Sequence, residues 1–264
     1  MPIQNQRTRG SSRDYVYQVI KEQIMNGEIA PGTKLSEKEI SDKLNVSRTP
    51  VREAFLQLNQ EELLGVFPQI GTIVTKIDLQ LVEEGRFVRE HIEKAIVREA
   101  ALKMEKEDLL QLETNLTLQE FSLEKGSFQR LFELDDEFHR LLYKGCGKHR
   151  TWEMVKRMNI QFDRLRLLRL AVNHEWDIIV SQHREIFEAV SNQNPDLAEK
   201  ATAVHLQLVD IEKDALKKEN PSFFCLNIEE EVRIDEGKKC ITCGSNITLS
   251  MVQIFKHIKN YLRK

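Results

Sequence analysis

One aspartate and three histidines have the spacing that a metal site in a helical protein requires. Asp135 and His139 lie four residues apart in a predicted helix, so their side chains share one helix face. His183 and His205 lie in two further predicted helices, beside apolar residues. A single histidine in such a setting is usually a core residue, but helical bundles build metal sites from facing helices. One carboxylate and three imidazoles suit zinc, nickel, manganese or iron.

A divalent ion bound by one aspartate leaves about one net positive charge in a buried pocket, which attracts an anionic oxygen ligand such as a carboxylate. This predicts a sensor of a small organic acid. One alternative is a metal-dependent enzyme in which the ion activates water. The nearby candidate bases, Asp136 and Glu137, are predicted to face away from His139. A second alternative is a purely structural metal.

A second set of polar residues opens a short helix near the amino terminus. Val51, Ala54, Phe55 and Leu58 form its apolar stripe, which leaves Arg48, Thr49 and Arg52 pointing away from the core. Arginine can bond guanine O6 and N7, and hydroxyl groups can hold phosphate. The alternative is that these are the capping and solvated residues of an ordinary small helical domain.

Cysteines supply a third, weaker pattern. Cys240 and Cys243 form one C-x-x-C, which is half of a zinc knuckle. Cys225 and His257 are candidates to complete a Cys₃His site. The alternatives are reduced thiols or a redox pair.

The elements that position these residues fall into two blocks. Residues 11–77 predict three short helices and a β-hairpin through Gly71, the order of a winged helix-turn-helix. Residues 78–220 predict an antiparallel bundle of six helices. Residues 1–10 form a basic arm, and 221–264 form an extension of unknown role. The predicted fold class is therefore mainly α.

The amino-acid composition excludes several classes of protein. The 264 residues are 31% charged and 41% hydrophobic, with four cysteines, and no apolar run is long enough for a membrane span. These values exclude collagen, a disulfide-rich secreted domain, a membrane protein and a wholly disordered chain. We expect a cytoplasmic protein. The net charge of −3 combines a near-neutral block over 1–76 with an acidic block over 77–220.

Residues 15–76 resemble the N-terminal domain of the GntR family of bacterial transcription regulators. The runs Gly27–Glu37 and Val46–Ala54 match the pattern of that family closely. The resemblance implies that the hairpin tip around Gly71 enters the minor groove of double-stranded DNA. It also implies DNA contacts from five side chains, namely Lys38, Ser47, Arg48, Thr49 and Arg52. Arg48 would be the main base reader, while Lys38 and Arg52 would chiefly hold phosphates.

Residues 79–218 resemble the all-helical effector domain, or FCD domain, of the FadR-type branch of that family. The resemblance rests on Asp135-x-x-Phe138-His139, on the spacing of His183 and His205, and on Arg89-x-x-x-Glu93. It implies a metal bound by Asp135, His139, His183 and His205, with a small organic acid completing the coordination. It places Arg89 against the carboxylate of that acid, although an intrahelical pair with Glu93 is the alternative.

Together these patterns predict a ligand-responsive transcription repressor and not an enzyme. Two copies are expected to associate through their helical domains and to read a palindromic operator. The acid would bind at the metal, zinc being the first choice, and shift the bundle against the linker near Lys76–Leu79.

Overall fold

The computed structural model describes residues 11–67, 69–172 and 176–225. The predicted arm over 1–10 and the residues Cys240, Cys243 and His257 lie outside the described residues. The described chain divides into two compact units, residues 11–76 and residues 77–224, here named the head and the body. No helix in the described residues combines the length and apolar character that a membrane span needs.

The head contains three helices and a small sheet. The elements are α1 (Ser12–Met25), β1 (Lys34–Leu35), α2 (Glu37–Leu44), α3 (Arg48–Gln60), β2 (Leu64–Phe67) and β3 (Gly71–Val74). The predicted hairpin is β2 and β3, which pair antiparallel. Strand β1 adds a third strand on the other side of β3. Its two residues are too few to give a recognisable alternation in the sequence.

Short-range signals explain where the head helices begin and end. The Ser36 side chain accepts from the Glu39 backbone N–H and caps α2, and Asn45 ends α2 in the left-handed conformation. The apolar stripe predicted for α3 is buried, with Val51, Ala54 and Leu58 fully inaccessible. This stripe holds α3 on α1, so the opposite face of α3 is left to solvent.

The body is helical, with seven helices in its described residues. They are α4 (Leu79–Lys103), α5 (Lys106–Glu124), α6 (Phe128–Gly145), α7 (His149–Met158), α8 (Ile160–Val172), α9 (Trp176–Ser191) and α10 (Pro195–Glu219). The mainly α fold class is confirmed. The predicted number of six helices is wrong, because the fourth predicted helix is interrupted at Asn159 and forms both α7 and α8.

The interruption at Asn159 coincides with a close approach of α4. A Cβ atom added to Gly85 would lie 2.8 Å from the Met158 carbonyl oxygen and 2.8 Å from Asn159 Oδ1. Only glycine allows the backbone of α4 to pack this tightly against the α7–α8 junction. The break was missed because the segment 158–160 contains neither glycine nor proline, the residues that most clearly mark the end of a helix.

The described part of the body contains three apolar clusters, of which the smallest packs Leu131 of α6 with Trp176 and Ile179 of α9. The largest one joins α4, α5, α6, α7, α9 and α10 around Val97, Leu112 and Phe138. The second one contains Phe162 and Leu165 of α8 with Phe224, which follows the short 3₁₀ helix Pro221–Phe223. Ile77 donates its backbone N–H to the Phe223 carbonyl, so the beginning of the predicted extension packs on the start of the body.

Candidate functional site

The body brings together the four side chains predicted to bind a metal. Asp135 and His139 project from α6, His183 from α9 and His205 from α10. Each offers one ligand atom, and these atoms lie within 4.8 Å of one another. All four residues are buried, with Asp135, His139 and His183 fully inaccessible to solvent. The set is therefore a compact, water-excluded group of nitrogen and oxygen donors.

A chain of hydrogen bonds fixes the orientation of His183. The Leu134 backbone carbonyl accepts from Asn115 Nδ2 (3.0 Å), and Asn115 Oδ1 accepts from Gln119 Nε2 (2.6 Å). Gln119 Oε1 then lies 2.9 Å from His183 Nδ1. Because a carbonyl can only accept, the polarity of this chain requires His183 to donate from Nδ1. The lone pair of His183 is therefore on Nε2, which faces the other donors.

The other two histidines also have a side-chain oxygen close to Nδ1. His205 Nδ1 lies 3.0 Å from Gln182 Oε1. His139 Nδ1 lies 2.9 Å from Glu93 Oε2, which is itself buried in α4. A side-chain oxygen therefore faces the Nδ1 atom of each ring. Such oxygens orient imidazoles and raise their basicity toward a metal.

Several atoms at the centre of the cluster are left without a hydrogen bond. Asp135 Oδ1, His139 Nε2 and His183 Nε2 are buried and have no hydrogen-bond partner among the described residues. Asp135 Oδ1 and His183 Nε2 lie 3.7 Å apart. Buried polar atoms of this kind are costly unless something binds them. Converging, unsatisfied lone pairs on nitrogen and oxygen fit a divalent ion.

The ionisation states also fit metal binding. Burial lowers the pKa of His183 to about 3 and lowers the pKa of His205 well below its usual value. Burial opposes the ionisation of Asp135, but the positive charge of Arg166 outweighs it and holds the pKa of that carboxyl below its usual range. At neutral pH His183 and His205 are therefore neutral and Asp135 is a carboxylate, the forms that coordinate metals.

A small, partly open cavity adjoins this cluster. Its lining combines three arginines with two of the candidate metal ligands and four apolar side chains. The lining residues are Arg89, Asp135, Phe162, Arg166, Arg169, Ile179, His205, Leu206 and Leu208.

Arg89 forms the intrahelical pair with Glu93 that its sequence context allowed as the alternative. Its Nε donates to Glu93 Oε1 at 2.8 Å within α4, and its side chain also lines the cavity. Burial opposes the charge of Glu93, but Arg89 and His139 outweigh it and lower the pKa of Glu93 to about 2. Arg89 is therefore a fixed, charged wall of the cavity.

Sequence reasoning missed the arginines of α8 and the residues that orient the histidines. Arg166 and Arg169 are buried, although both are charged residues in a helix. The available signal was the run Arg164–Arg169, in which arginines alternate with leucines in an otherwise apolar segment. Glu93 was recognised only as a partner of Arg89, and Gln119 had no distinguishing feature in the sequence.

The acidic neighbours of His139 are engaged elsewhere. Asp136 Oδ1 accepts from Lys156 at 2.6 Å, and Glu137 forms a bidentate pair with Arg140. Neither carboxylate belongs to the metal cluster. The geometry therefore supplies no general base from α6 for a metal-bound water.

The head displays the predicted DNA-contacting side chains on its surface. Lys38 of α2 is exposed, as are four side chains at the start of α3, namely Ser47, Arg48, Thr49 and Arg52. Ser47 precedes α3 and makes no side-chain capping hydrogen bond, so its hydroxyl is not used by the helix. Arg52 Nε lies 3.3 Å from Glu37 in an exposed ion pair. Gly71 begins β3 with a φ of 110°, a value that favours glycine.

Of the four residues proposed for a tail zinc site, the structure describes Cys225 alone, which is partly buried. The described residues contain one group of side chains that could hold a metal, the Asp135 cluster.

Comparison with known families and proteins agrees with this architecture. The family described as "Bacterial regulatory proteins, gntR family" matches residues 13–74, and the FCD domain matches residues 86–208. The HTH-type transcriptional repressor RspR of Escherichia coli is 36% identical over 209 residues, which cover 79% of this chain and 92% of the relative. An HTH-type transcriptional regulator of Streptomyces ambofaciens is 33% identical over 216 residues, with coverages of 82% and 90%.

Solved structures share the fold. The Escherichia coli protein McbR/YncC superposes with a TM-score of 0.66 at 22% identity, covering 80% of this chain and 99% of that one. A GntR regulator from Rhodococcus gives a TM-score of 0.64 at 23% identity, with coverages of 79% and 97%. The winged head, the FCD body and the identity to the Escherichia coli and Streptomyces regulators establish that the chain belongs to the GntR family of transcription regulators and is not an enzyme.

Proposed function

We propose that this regulator is a repressor whose operator affinity depends on a small organic acid bound at a divalent metal ion. The observation that carries the proposal is the convergence of four buried ligand atoms within 4.8 Å, three of them on histidines whose Nδ1 atoms face side-chain oxygens. Without a metal, Asp135 Oδ1, His139 Nε2 and His183 Nε2 would stay buried with no hydrogen-bond partner among the described residues. The name of the Escherichia coli relative, a repressor, supports the direction of regulation.

Four residues would hold the metal, namely Asp135, His139, His183 and His205. The ion, with zinc as the first choice and nickel, manganese or iron as alternatives, would supply positive charge and open coordination positions for an acid oxygen. The task of the surrounding residues is to orient the imidazoles and to exclude water. Glu93, Gln119 and Gln182 perform the orientation, and the apolar clusters exclude the water.

Arg89 is proposed to bind the carboxylate of the acid. It lines the cavity beside Asp135 and His205, and Glu93 fixes its position before any ligand arrives. A guanidinium that is already immobilised loses little side-chain entropy on binding, which favours a bidentate contact with a carboxylate.

The head is proposed to read a palindromic operator as part of a homodimer. Arg48 is exposed at the first turn of α3, where a recognition helix contacts base edges. Lys38 and Arg52, both exposed, would hold phosphates, and Ser47 and Thr49 would add hydroxyl groups near the helix amino terminus. Acid binding would shift the body helices against the linker near Lys76–Leu79, at which α4 begins. A difference of about 1–3 kcal/mol between two arrangements changes operator affinity roughly 5–150-fold.

The test measures metal, acid and DNA separately on the full chain. Elemental analysis of the purified protein is expected to give about one bound ion per chain, and His183→Ala with His205→Ala is expected to abolish it. A thermal-shift screen of sugar acids, hydroxy acids and dicarboxylates identifies acids that bind. Fluorescence anisotropy on a DNA fragment selected from a random pool then measures how those acids change operator affinity.

A matched control is His149→Ala, because His149 is exposed at the start of α7. It should leave metal content and acid response unchanged. Absence of metal in the wild type, or an unchanged acid response in the double variant, contradicts the proposal. Metal binding that raises stability without any acid response indicates a purely structural metal instead.

A further inference from the structure

We propose that Glu93 links the acid-binding position at Arg89 to the metal site through His139, so that acid and metal strengthen each other's binding. The inference rests on the proposed function, because it concerns the same metal and the same acid. It goes beyond that function by giving Glu93 a second role. Besides orienting His139, Glu93 connects the two binding positions as a positioning residue.

The two carboxylate oxygens of Glu93 have different neighbours. Oε1 accepts from Arg89 Nε at 2.8 Å, and Oε2 lies 2.9 Å from His139 Nδ1. Glu93 is 1% exposed, and neither its Oε2 nor His139 Nδ1 forms a hydrogen bond to any other group in the described part of the chain. One buried carboxylate is therefore shared between a residue of the cavity wall and a candidate metal ligand.

The other two candidate histidine ligands are oriented by neutral groups. His183 Nδ1 lies 2.9 Å from Gln119 Oε1, and His205 Nδ1 lies 3.0 Å from Gln182 Oε1. An amide carries no net charge, so its strength as an acceptor does not depend on a neighbouring ion pair. His139 is therefore the histidine of this cluster whose orienting group is charged and also binds the cavity wall.

Arg89 can hold an acid while it remains bound to Glu93. Its hydrogen bond to Glu93 uses Nε, and its Cζ atom lies 5.5 Å from the Phe162 ring centroid. The two Nη groups remain for an end-on contact with a carboxylate. The acid then shares the positive charge that Glu93 receives from Arg89. Glu93 becomes a stronger acceptor for His139, and the basicity of His139 toward a metal rises.

Thermodynamic linkage makes this effect reciprocal. If bound acid raises the affinity for the metal, the affinity for the acid rises by the same factor when the metal is bound. A direct contact between an acid oxygen and the metal would add to this coupling, but that contact does not pass through Glu93. Substitutions at Glu93 therefore separate the two contributions.

The experiment leaves one acceptor oxygen where Glu93 has two. In Glu93→Gln the amide oxygen should stay with Arg89, because a charged donor forms the stronger hydrogen bond. The amide NH₂ group then faces His139 Nδ1, which must accept, so the ring proton lies on Nε2 and blocks the metal-binding lone pair. The zinc affinity of the full chain should fall about 10–100-fold, measured by competition with a chromophoric chelator. Nitrogen-15 NMR of the chelator-treated protein should show the changed tautomer of His139.

A second substitution tests the link to Arg89. When Arg89→Met is combined with Glu93→Gln, the amide is free to turn, and its oxygen can accept from His139 Nδ1. The original tautomer and most of the zinc affinity should then return, whereas Arg89→Met alone should not weaken zinc binding.

The matched control combines Arg89→Met with Gln182→Ala, which removes the oxygen beside His205 Nδ1. Gln182→Ala should also weaken zinc binding. Arg89→Met should change the zinc affinity by the same factor in this background as in the wild type, because its only shared partner with a metal ligand in the described structure is Glu93. A restoration confined to the Glu93→Gln background therefore identifies Glu93 as the link.

Circular dichroism verifies the fold of each variant. Glu93→Asp, whose shorter side chain cannot reach both neighbours at once, gives the same comparison if Glu93→Gln does not fold. It should also lose zinc affinity, and Arg89→Met should restore part of it.

Three results overturn the inference. They are an unchanged tautomer and zinc affinity in Glu93→Gln, a loss that Arg89→Met does not restore, and an equal restoration in the Gln182→Ala background. Failure of the proposed function gives a different result, namely a wild type that binds no zinc or an operator affinity that no acid changes, while the His139 tautomer still responds to Glu93→Gln and to Arg89→Met.

Discussion

The head and the body place their functional charges in opposite environments. In the head, Lys38, Arg48 and Arg52 are exposed, and they lie within a short stretch of chain. In the body, Asp135 and Arg166 are buried on different helices and pair with each other. An exposed charge costs little when it has no partner, whereas a buried charge needs one. Function in the head is therefore separable from stability, and function in the body is not.

The largest expected effect is the loss of stability that follows when the buried ion pairs of the body are broken. Arg166→Leu removes the guanidinium that faces both Asp135 and Asp163. We expect the free energy of unfolding to fall by about 3–5 kcal/mol, because two carboxylates lose a buried partner. Urea denaturation in the presence of a chelator measures it.

Two further variants sharpen this result. Arg140→Leu disrupts a half-exposed pair with Glu137 and should change stability by no more than about 1 kcal/mol. Combining Arg166→Leu with Asp135→Leu removes both charges and should recover part of the loss. Equal effects of Arg166→Leu and Arg140→Leu would show that burial does not distinguish the two regions.

The second largest effect is a loss of DNA affinity caused by a substitution in the head. Arg48→Ala should weaken binding to the selected operator by about 1–3 kcal/mol, roughly 5–150-fold, and reduce discrimination against other sequences. The melting temperature should stay within about 1 °C of the wild type, because Arg48 is exposed. Fluorescence anisotropy on operator and scrambled duplexes measures affinity and discrimination. A thermal melting curve measures the melting temperature. Retained discrimination would contradict the role assigned to Arg48.

A third, smaller effect is a pH dependence that arises in the body. Burial lowers the pKa of His183 to about 3, whereas in the unfolded chain the pKa returns to about 6.5. Below pH 6.5 the unfolded state therefore takes up a proton that the folded state does not. Chelator-treated protein should lose stability as the pH falls from 6.5, on the order of 1 kcal/mol for each pH unit.

The matched variants for this measurement are His183→Asn and His149→Asn. The first removes the buried titrating ring, so its stability should depend less steeply on pH between 6.5 and 5. The second removes an exposed ring and should keep the slope of the wild type. Identical slopes in all three proteins would exclude His183 as the source.

The smallest effect concerns the exposed pair of Arg52 and Glu37 in the head, at 3.3 Å. Glu37→Gln should change the free energy of unfolding by less than about 0.5 kcal/mol. It should raise DNA affinity a few-fold, because it removes a negative charge beside a proposed phosphate contact. The affinity gain should shrink as salt concentration rises, and a gain that is independent of salt would contradict an electrostatic origin.

The sequence predicts features that depend on residues close together in the chain. It does not predict features that depend on contacts between distant segments. The α3 stripe and the exposed Arg48 follow from a period of 3.6 residues within one segment, and the structure agrees. Strand β1 was missed because two residues carry no period, and its pairing with β3 joins distant parts of the chain. In the body, the spacing of Asp135 and His139 places them on one face, but it does not show which helices they meet.

The sequence by itself determined the helical character of the body, the winged order of the head, and the identity of four candidate metal ligands, because these depend on local periodicity, turn residues and a resemblance. Only the tertiary structure decided that α7 and α8 separate at Asn159, that Glu93 faces His139, and that Arg166 and Arg169 line the cavity. These features depend on contacts between helices that are far apart in the chain. The free energy of a buried charge is set by its partners in space, which no local pattern specifies.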